Sequence, residues 1–249
     1  MITDSFDPIS EQIITPASFY GEQKHLCQVC IVTFSKVIYE NVLTSFPCEL
    51  VAQINACNGS SPIYLFPYKD RNIAFYLSHT GSSAAATDVI EANWFTGAEK
   101  FIMFGSAGSL NQKETQGKYV IPTAAYRDEG MSYHYAPPAD YIEIPGAETV
   151  AAVFDELSVP YVKGRVWTTD AFYRETRRNL EQRQKDGCLA VEMELAGVQA
   201  VCDFHKLWLY DFLMTGDVLD QPEYSHEGLH DANHSLDKFY LALELAMRV

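Results

Sequence analysis

Phe101-Ile-Met-Phe-Gly-Ser-Ala-Gly-Ser109 is an uncharged apolar run that ends on a loop with two glycines. Four consecutive apolar residues stopped by a glycine read as a buried strand, in a sheet covered on both faces where no solvent side enforces alternation. The chain on either side repeats the pattern of strand, then helix. N-terminal to it, Val29-Cys-Ile-Val-Thr-Phe34 reads as a strand and residues 36–46 as a helix. Residues 63–66 and 73–77 read as strands split by the turn-like Tyr68-Lys-Asp-Arg-Asn72, and 83–95 as a helix. C-terminal to it, strands are expected at 119–122, 162–168 and 207–214, and helices at 149–157, 174–185 and 190–204. The final helix carries Leu236, Phe239, Tyr240, Leu243 and Met247 at spacings of three and four, with Ser235 or Asn233 as its N-cap. This alternation predicts an α/β fold.

The chain has 249 residues, 47% of them hydrophobic, with 14 Phe, 15 Tyr and 3 Trp as core material. No repeat or long linker divides it, so a single domain over residues 1–249 is expected, with 1–26 as an N-terminal extension packed on it. Lys and Arg number 18 against 33 Asp and Glu, a formal net charge of −15. Nucleic acid and anionic membranes are bound mainly through cations, so neither is an expected partner. Six scattered cysteines (Cys27, Cys30, Cys48, Cys57, Cys188, Cys202) read as reduced thiols rather than a disulfide scaffold. The acidic start has no apolar segment behind it, and no run reaches the roughly 20 residues of a membrane helix. The expected location is cytoplasmic.

Three glycine-bearing loops each follow a strand: His79-Thr-Gly-Ser-Ser83, Phe104-Gly-Ser-Ala-Gly-Ser109 and Thr215-Gly-Asp217. In open α/β sheets a ligand sits beyond the carboxyl ends of the strands, where such loops let backbone approach it; tight turns explain each loop equally well. The Gly105 loop is neither a Walker loop nor a dinucleotide fingerprint. Val191-Glu-Met-Glu-Leu-Ala-Gly197 sets two carboxylates at the mouth of a helix, where the dipole alone favours one. Together with Asp217 at the end of a hydrophobic strand, they point to a polar pocket with a carboxylate poised to move a proton. Apolar surroundings would raise its pKa towards the working range.

The same segments, joined by Tyr126-Arg-Asp-Glu-Gly-Met-Ser-Tyr-His-Tyr-Ala-Pro137 and Thr168-Thr-Asp-Ala-Phe-Tyr173, follow the order seen in the nucleoside phosphorylase superfamily. From about Cys30 to the C-terminus the chain resembles that superfamily, which holds purine nucleoside phosphorylase, uridine phosphorylase and related nucleosidases. The resemblance implies a three-layer sandwich with a central mixed sheet, a homodimer or a hexamer of dimers with sites near the dimer interface, and cleavage of a nucleoside's N-glycosidic bond without metal or organic cofactor. It implies that Met193 and Glu194, with Glu192 beside them, hold the ribose hydroxyls, that Phe172 stacks on the base and that Asp217 protonates the leaving base. The charge of Glu194 suits an oxocarbenium-like transition state. Asp217 favours a purine, and with it a place in purine salvage, whereas residues 127–137 look more like the uridine phosphorylase side.

Departures from the pattern concentrate on phosphate. Family phosphorylases hold it with a Gly-Asp-Pro-x-x-Arg-type loop, an Arg two residues before the Gly-Ser-Ala-Gly loop, a hydroxyl in that loop and an Arg from a neighbouring subunit. Ser106 keeps the hydroxyl, but Met103 replaces the Arg, Thr33-Phe-Ser-Lys36 replaces the first loop, the neighbour's Arg falls near Gly59, and Asp220 stands where an Arg follows the purine-type Asp. The expected acceptor site is therefore Ser106, Lys36 and the backbone N–H groups of Gly81 and Gly105. It would take phosphate, giving ribose 1-phosphate in a pentosyltransferase reaction. The alternatives are a nucleosidase in which Glu192 or Glu194 holds water, and a nucleoside-binding protein without turnover.

His226-Glu-Gly-Leu-His230 also fits the zinc-peptidase pattern, and on one helix His226, His230 and His234 would face the same way. Gly228 weakens that helix and Leu236 stands where the extended pattern needs histidine, so no metal site is expected. Cys27-Gln-Val-Cys30 runs into a strand and reads as a buried structural pair.

Overall fold

The computed structural model describes residues 1–57 and 59–249. Its ten strands are β1 (Val29–Thr33), β2 (Glu49–Ala56), β3 (Gly59–Tyr68), β4 (Arg71–Leu77), β5 (Lys100–Ser109), β6 (Tyr119–Asp128), β7 (Tyr141–Glu143), β8 (Tyr161–Thr169), β9 (Cys188–Glu192) and β10 (Trp208–Val218). The helices are α1 (Pro16–Tyr20), α2 (Lys36–Ser45), α3 (Ser82–Thr96), α4 (Gln112–Thr115), α5 (Ser132–Tyr135), α6 (Ala147–Glu156), α7 (Arg177–Lys185), α8 (Leu195–His205), α9 (Leu229–His234) and α10 (Asp237–Ala246).

All ten strands form one mixed sheet organised around β5. Parallel β1 covers the first half of β5, from Val29 beside Lys100 to Thr33 beside Phe104, and β4, β3 and β2 extend the sheet outward from there. Parallel β10 follows β5 along its whole length. From β10 the sheet passes through β6, β8 and β9, and β9 returns to β5 where Val191 pairs Gly108, so that part of the sheet closes on itself. A Cβ on Gly108 would stand 2.5 Å from Leu219 Cδ1 and 3.0 Å from Val191 Cγ1, so a side chain at this corner would have to push those two aside.

The two faces differ in their filling. On one, alanine-rich α3 and α8 bury Ala85, Ala86, Val89, Ala196, Val198 and Val201 against the sheet, small side chains that let backbones approach closely. On the other, α2, α6 and α10 pack Ile38, Val42, Phe154, Phe239 and Leu243 onto Phe75, Phe104 and Phe212. This is a three-layer α/β/α arrangement with a central mixed sheet, as the resemblance implied. At the N-terminus, Tyr20 packs on Phe95 at 4.6 Å between ring centroids, and the Trp94 indole N–H donates to the Gly21 carbonyl at 3.1 Å.

Several local expectations change. Residues 190–204 are not one helix: Cys188–Glu192 is a strand, and α8 begins only at Leu195. Both halves are apolar and buried, so periodicity does not separate them. Residues 174–176 belong to a 3₁₀ turn and its exit rather than to α7. Neither Ser235 nor Asn233 caps the last helix, whose N-cap is Leu236. The edge strand β2 was not expected; Ile54 is its only fully buried residue, which leaves little apolar signal.

Candidate active site

Strand ends converge on a cleft with about 320 Å³ of room. Phe34 enters it after β1, Thr80 after β4, Gly105 and Ser106 from β5, Phe172 and Glu175 after β8, Glu192, Met193 and Glu194 after β9, and Asp211 and Asp217 from β10. Ser106, Gly105, Glu192, Met193, Glu194, Phe172 and Asp217, which lie far apart in sequence, are thus brought together.

Glu192 closes β9 and reaches the start of α8. Its Oε2 accepts the backbone N–H groups of Glu194 and Leu195, both at 2.7 Å, and Oε1 accepts the Thr168 hydroxyl. It therefore does the work of an N-cap side chain, satisfying two of the helix's orphan donors. Burial, with the charge of Glu194, pushes it up to about 8 against these three donors. Glu194 follows with Oε1 on the Gly81 N–H at 2.6 Å. The Ser82 hydroxyl donates to the Glu194 carbonyl and accepts from the Gly197 N–H, both at 3.2 Å, which ties the start of α3 to the start of α8. Gly81 consequently uses its N–H to orient Glu194 and is not part of the cleft lining, correcting its expected place in an acceptor site.

Asp217 is buried, which raises its proton affinity, and its Oδ2 accepts the Tyr224 hydroxyl at 3.1 Å. Glu175, beside it in the cleft, is pushed up to about 7 by burial and then by Asp217. Asp211 is 1% exposed in the middle of β10, and neither carboxyl oxygen has a hydrogen-bond partner. Burial, then the charges of Glu192 and Glu194, drive it well above the ordinary carboxylate range. Phe172 lies at the mouth, 42% exposed, its ring 4.8 Å from that of Tyr173.

Lys36 does not take part. Its side chain is 76% exposed and pairs with Glu40 at 3.6 Å on the outside of α2, because the first residue of that helix points away from the sheet ends. The cleft lining holds five carboxyl groups, Glu175, Glu192, Glu194, Asp211 and Asp217, and among the described residues no lysine or arginine. Arg127 is buried elsewhere, donating to the Ser132 hydroxyl at 2.7 Å and the Pro137 carbonyl at 2.6 Å. Arg177 pins the chain after β10 through the carbonyls of Leu219 at 2.7 Å and Pro222 at 2.9 Å. The Ser106 hydroxyl donates to Asn233 Oδ1 of α9, a residue the sequence offered only as a helix cap and not as part of the site. Glu175 and Asp211 were missed as well; for Asp211, an acid inside the apolar run Leu209-Tyr-Asp-Phe-Leu213 was the available signal.

The histidine pattern does not form a metal centre. α9 starts at Leu229, so His226 lies outside it and stacks on Tyr224, while His234 Nδ1 meets the Ser35 hydroxyl at 2.8 Å. Among the described residues, no group of three or more His, Cys, Asp or Glu side chains is placed to hold a metal ion. All six cysteines are free, with Cys30 fully buried in β1. Among the described residues, no helix is long and apolar enough to cross a membrane.

A three-layer fold whose strand ends gather a Glu-Met-Glu turn, a Gly-Ser-Ala-Gly corner and a buried Asp can be compared with known proteins. The chain is 27% identical over 203 residues to a DeoD-type purine nucleoside phosphorylase of Caldanaerobacter subterraneus, covering 76% of this chain and 83% of that protein. It is 31% identical over 157 residues to a guanosine phosphorylase of Halorubrum lacusprofundi, covering 61% and 62%. Among solved structures, futalosine hydrolase of Helicobacter pylori superposes with a TM-score of 0.72 at 15% identity, over 90% of this chain and 99% of that one. AMP nucleosidase from Bacteroides thetaiotaomicron gives 0.68 at 18% identity over 90% of each. The model of the phosphorylase superfamily, whose members cleave glycosidic bonds by phosphorolysis or hydrolysis, matches residues 28–244, and the chain belongs to it.

Proposed function

We propose that this protein hydrolyses the N-glycosidic bond of a purine-type nucleoside. The observation that carries the reading is the make-up of the cleft lining: five carboxyl groups and, among the described residues, no cationic side chain. A phosphate dianion placed there would be desolvated without a counter-charge, at a cost of several kcal/mol, whereas a neutral water meets no such penalty.

In this reading Met193 and Glu194 hold the ribose. Glu194, anchored by Gly81, accepts from the sugar diol and lends negative charge to the oxocarbenium-like transition state. Phe172 stacks on the base at the mouth. Asp217 keeps its proton to higher pH than an exposed aspartate and gives it to the leaving base as the C–N bond breaks. Glu192 holds the helix start that fixes Glu194, and Ser106 lies on the acceptor side. A homodimer that covers the exposed Phe172 and Tyr173, the latter 94% exposed, completes the proposal.

Phosphorolysis is the second reading, favoured by the phosphorylase relatives and by Ser106. Base release from inosine, adenosine and uridine with and without inorganic phosphate separates the two. Equal rates are expected in phosphate-free buffer; strict dependence on phosphate, with ribose 1-phosphate formed, would reject hydrolysis.

A further inference from the structure

Lys238 is the second residue of α10 and is 1% exposed. A lysine in the first turn opposes the helix dipole, and a buried lysine normally has a carboxylate partner. Here Nζ donates instead to the carbonyls of Gly105, at 3.3 Å, and Ala232, and lies 5.8 Å from the centroid of the Phe104 ring. Among the described residues no Asp or Glu forms an ion pair with it. Beside it is a small cavity of about 30 Å³, whose polar lining is Thr33, Ser35, Ser106, Asn233 and Lys238. Phe34, Gly105, Ser106 and Asn233 line both this cavity and the nucleoside cleft, so the two adjoin. A cavity of that size, with this polar lining, has room for water.

We propose that Lys238 is the general base of the hydrolytic reaction, taking a proton from a water held in this cavity between its amine and Ser106. The inference rests on the hydrolytic reading above. A neutral primary amine has two N–H bonds and one lone pair; the two carbonyls take the N–H bonds and the lone pair is left for a third partner. Burial without an anion favours that neutral form, pushing Lys238 down to about 8. In the step, a water O–H bond breaks and its proton passes to Nζ while the oxygen bonds the anomeric carbon. The glycosidic C–N bond breaks with its electron pair leaving on the base, which takes the proton of Asp217. The ammonium then returns its proton to solvent and the Asp217 carboxylate takes one up from it, which restores both groups. The titratable side chain facing Lys238 is His234 of α9, with His230 beside it, and Asp237 is its neighbour in sequence; β1, β5 and α2 present Thr33, Phe104, Ser106 and Ser35.

The test uses inosine in phosphate-free buffer. Lys238→Met, which fills the same volume without charge, is expected to lower kcat by about 10²–10⁴-fold with KM little changed. It is also expected to remove the rise in rate that accompanies deprotonation near pH 8. In Lys238→Ala, added methylamine or ethylamine restores rate in proportion to amine basicity, which a packing role does not produce. Hydrolysis by the parent protein with kcat retained in Lys238→Met, or no amine rescue in a Lys238→Ala that melts like the parent, overturns the assignment alone. A parent that cleaves only with phosphate, or cleaves no nucleoside, overturns the hydrolytic reading and this one with it.

Discussion

Asp211 is buried in β10 with both carboxyl oxygens unbonded, and its proton stays on well above the ordinary range. The unfolded chain ionises this residue near pH 4, so above that pH the folded state holds the extra proton and stability falls as pH rises towards the folded pKa. Asp211→Leu should therefore stabilise by about 1–3 kcal/mol, the cost of an unsatisfied buried polar group, and by more at pH 8 than at pH 5. Urea unfolding at the two pH values checks this; an equal gain at both would mean that the acid is not neutral in the fold. Asp217 carries a different expectation, because its proton is used. Asp217→Asn should lower cleavage of inosine by about 10²–10⁴-fold. It should leave a riboside with a leaving group that needs no protonation, such as nitrophenol, much less affected. Steady-state rates on the two substrates decide it, and parallel losses would remove Asp217 from the proton-transfer role. Of these residues, Asp217 and Glu194 were legible from their segments. Glu175 and Lys238 were not, since nothing local distinguishes them from surface charges until the fold buries them.

At the scale of elements, the site depends on how α8 begins. Glu192 satisfies two N–H groups of that first turn, so Glu192→Ala should cost about 1–2 kcal/mol. Glu192→Gln, whose amide oxygen still accepts, should keep most of that stability; differential denaturation of the pair is the measurement. Gly197 sits where α8 meets α3: an added Cβ would lie 3.1 Å from Met131 Cβ and overlap the Ser82 hydroxyl. Gly197→Ala should therefore push the two helix starts apart, costing about 1–3 kcal/mol and raising KM through the displaced contact of Gly81 with Glu194. A variant with unchanged melting and KM would show that the helices reseat freely. The strand–helix alternation was readable because buried runs and helical periods differ. The break at Met193 was not, since apolar residues lie on both sides of the Glu-Met-Glu segment and the feature that ends the strand is the Glu192 side chain folding back on the amides two and three residues ahead.

Across the whole molecule, a formal net charge of −15 repels itself. Raising ionic strength from about 0.01 M to about 0.15 M shortens the screening length from about 30 Å to about 8 Å, so thermal stability should rise over that range. Melting curves in potassium chloride test this, and a flat or falling trend would show that the charges are already paired or too dispersed to matter.

By itself the sequence determined the α/β alternation, the family pattern and the absence of arginines at their usual phosphate positions, because these depend on residue type and local spacing. The tertiary structure decided which charges act. Lys36, next to the first strand, turns to solvent and pairs with Glu40, whereas Lys238, 133 residues beyond Gly105, is folded against that glycine's carbonyl. Burial and unpaired polarity are properties of packing between distant segments, and no local pattern records them.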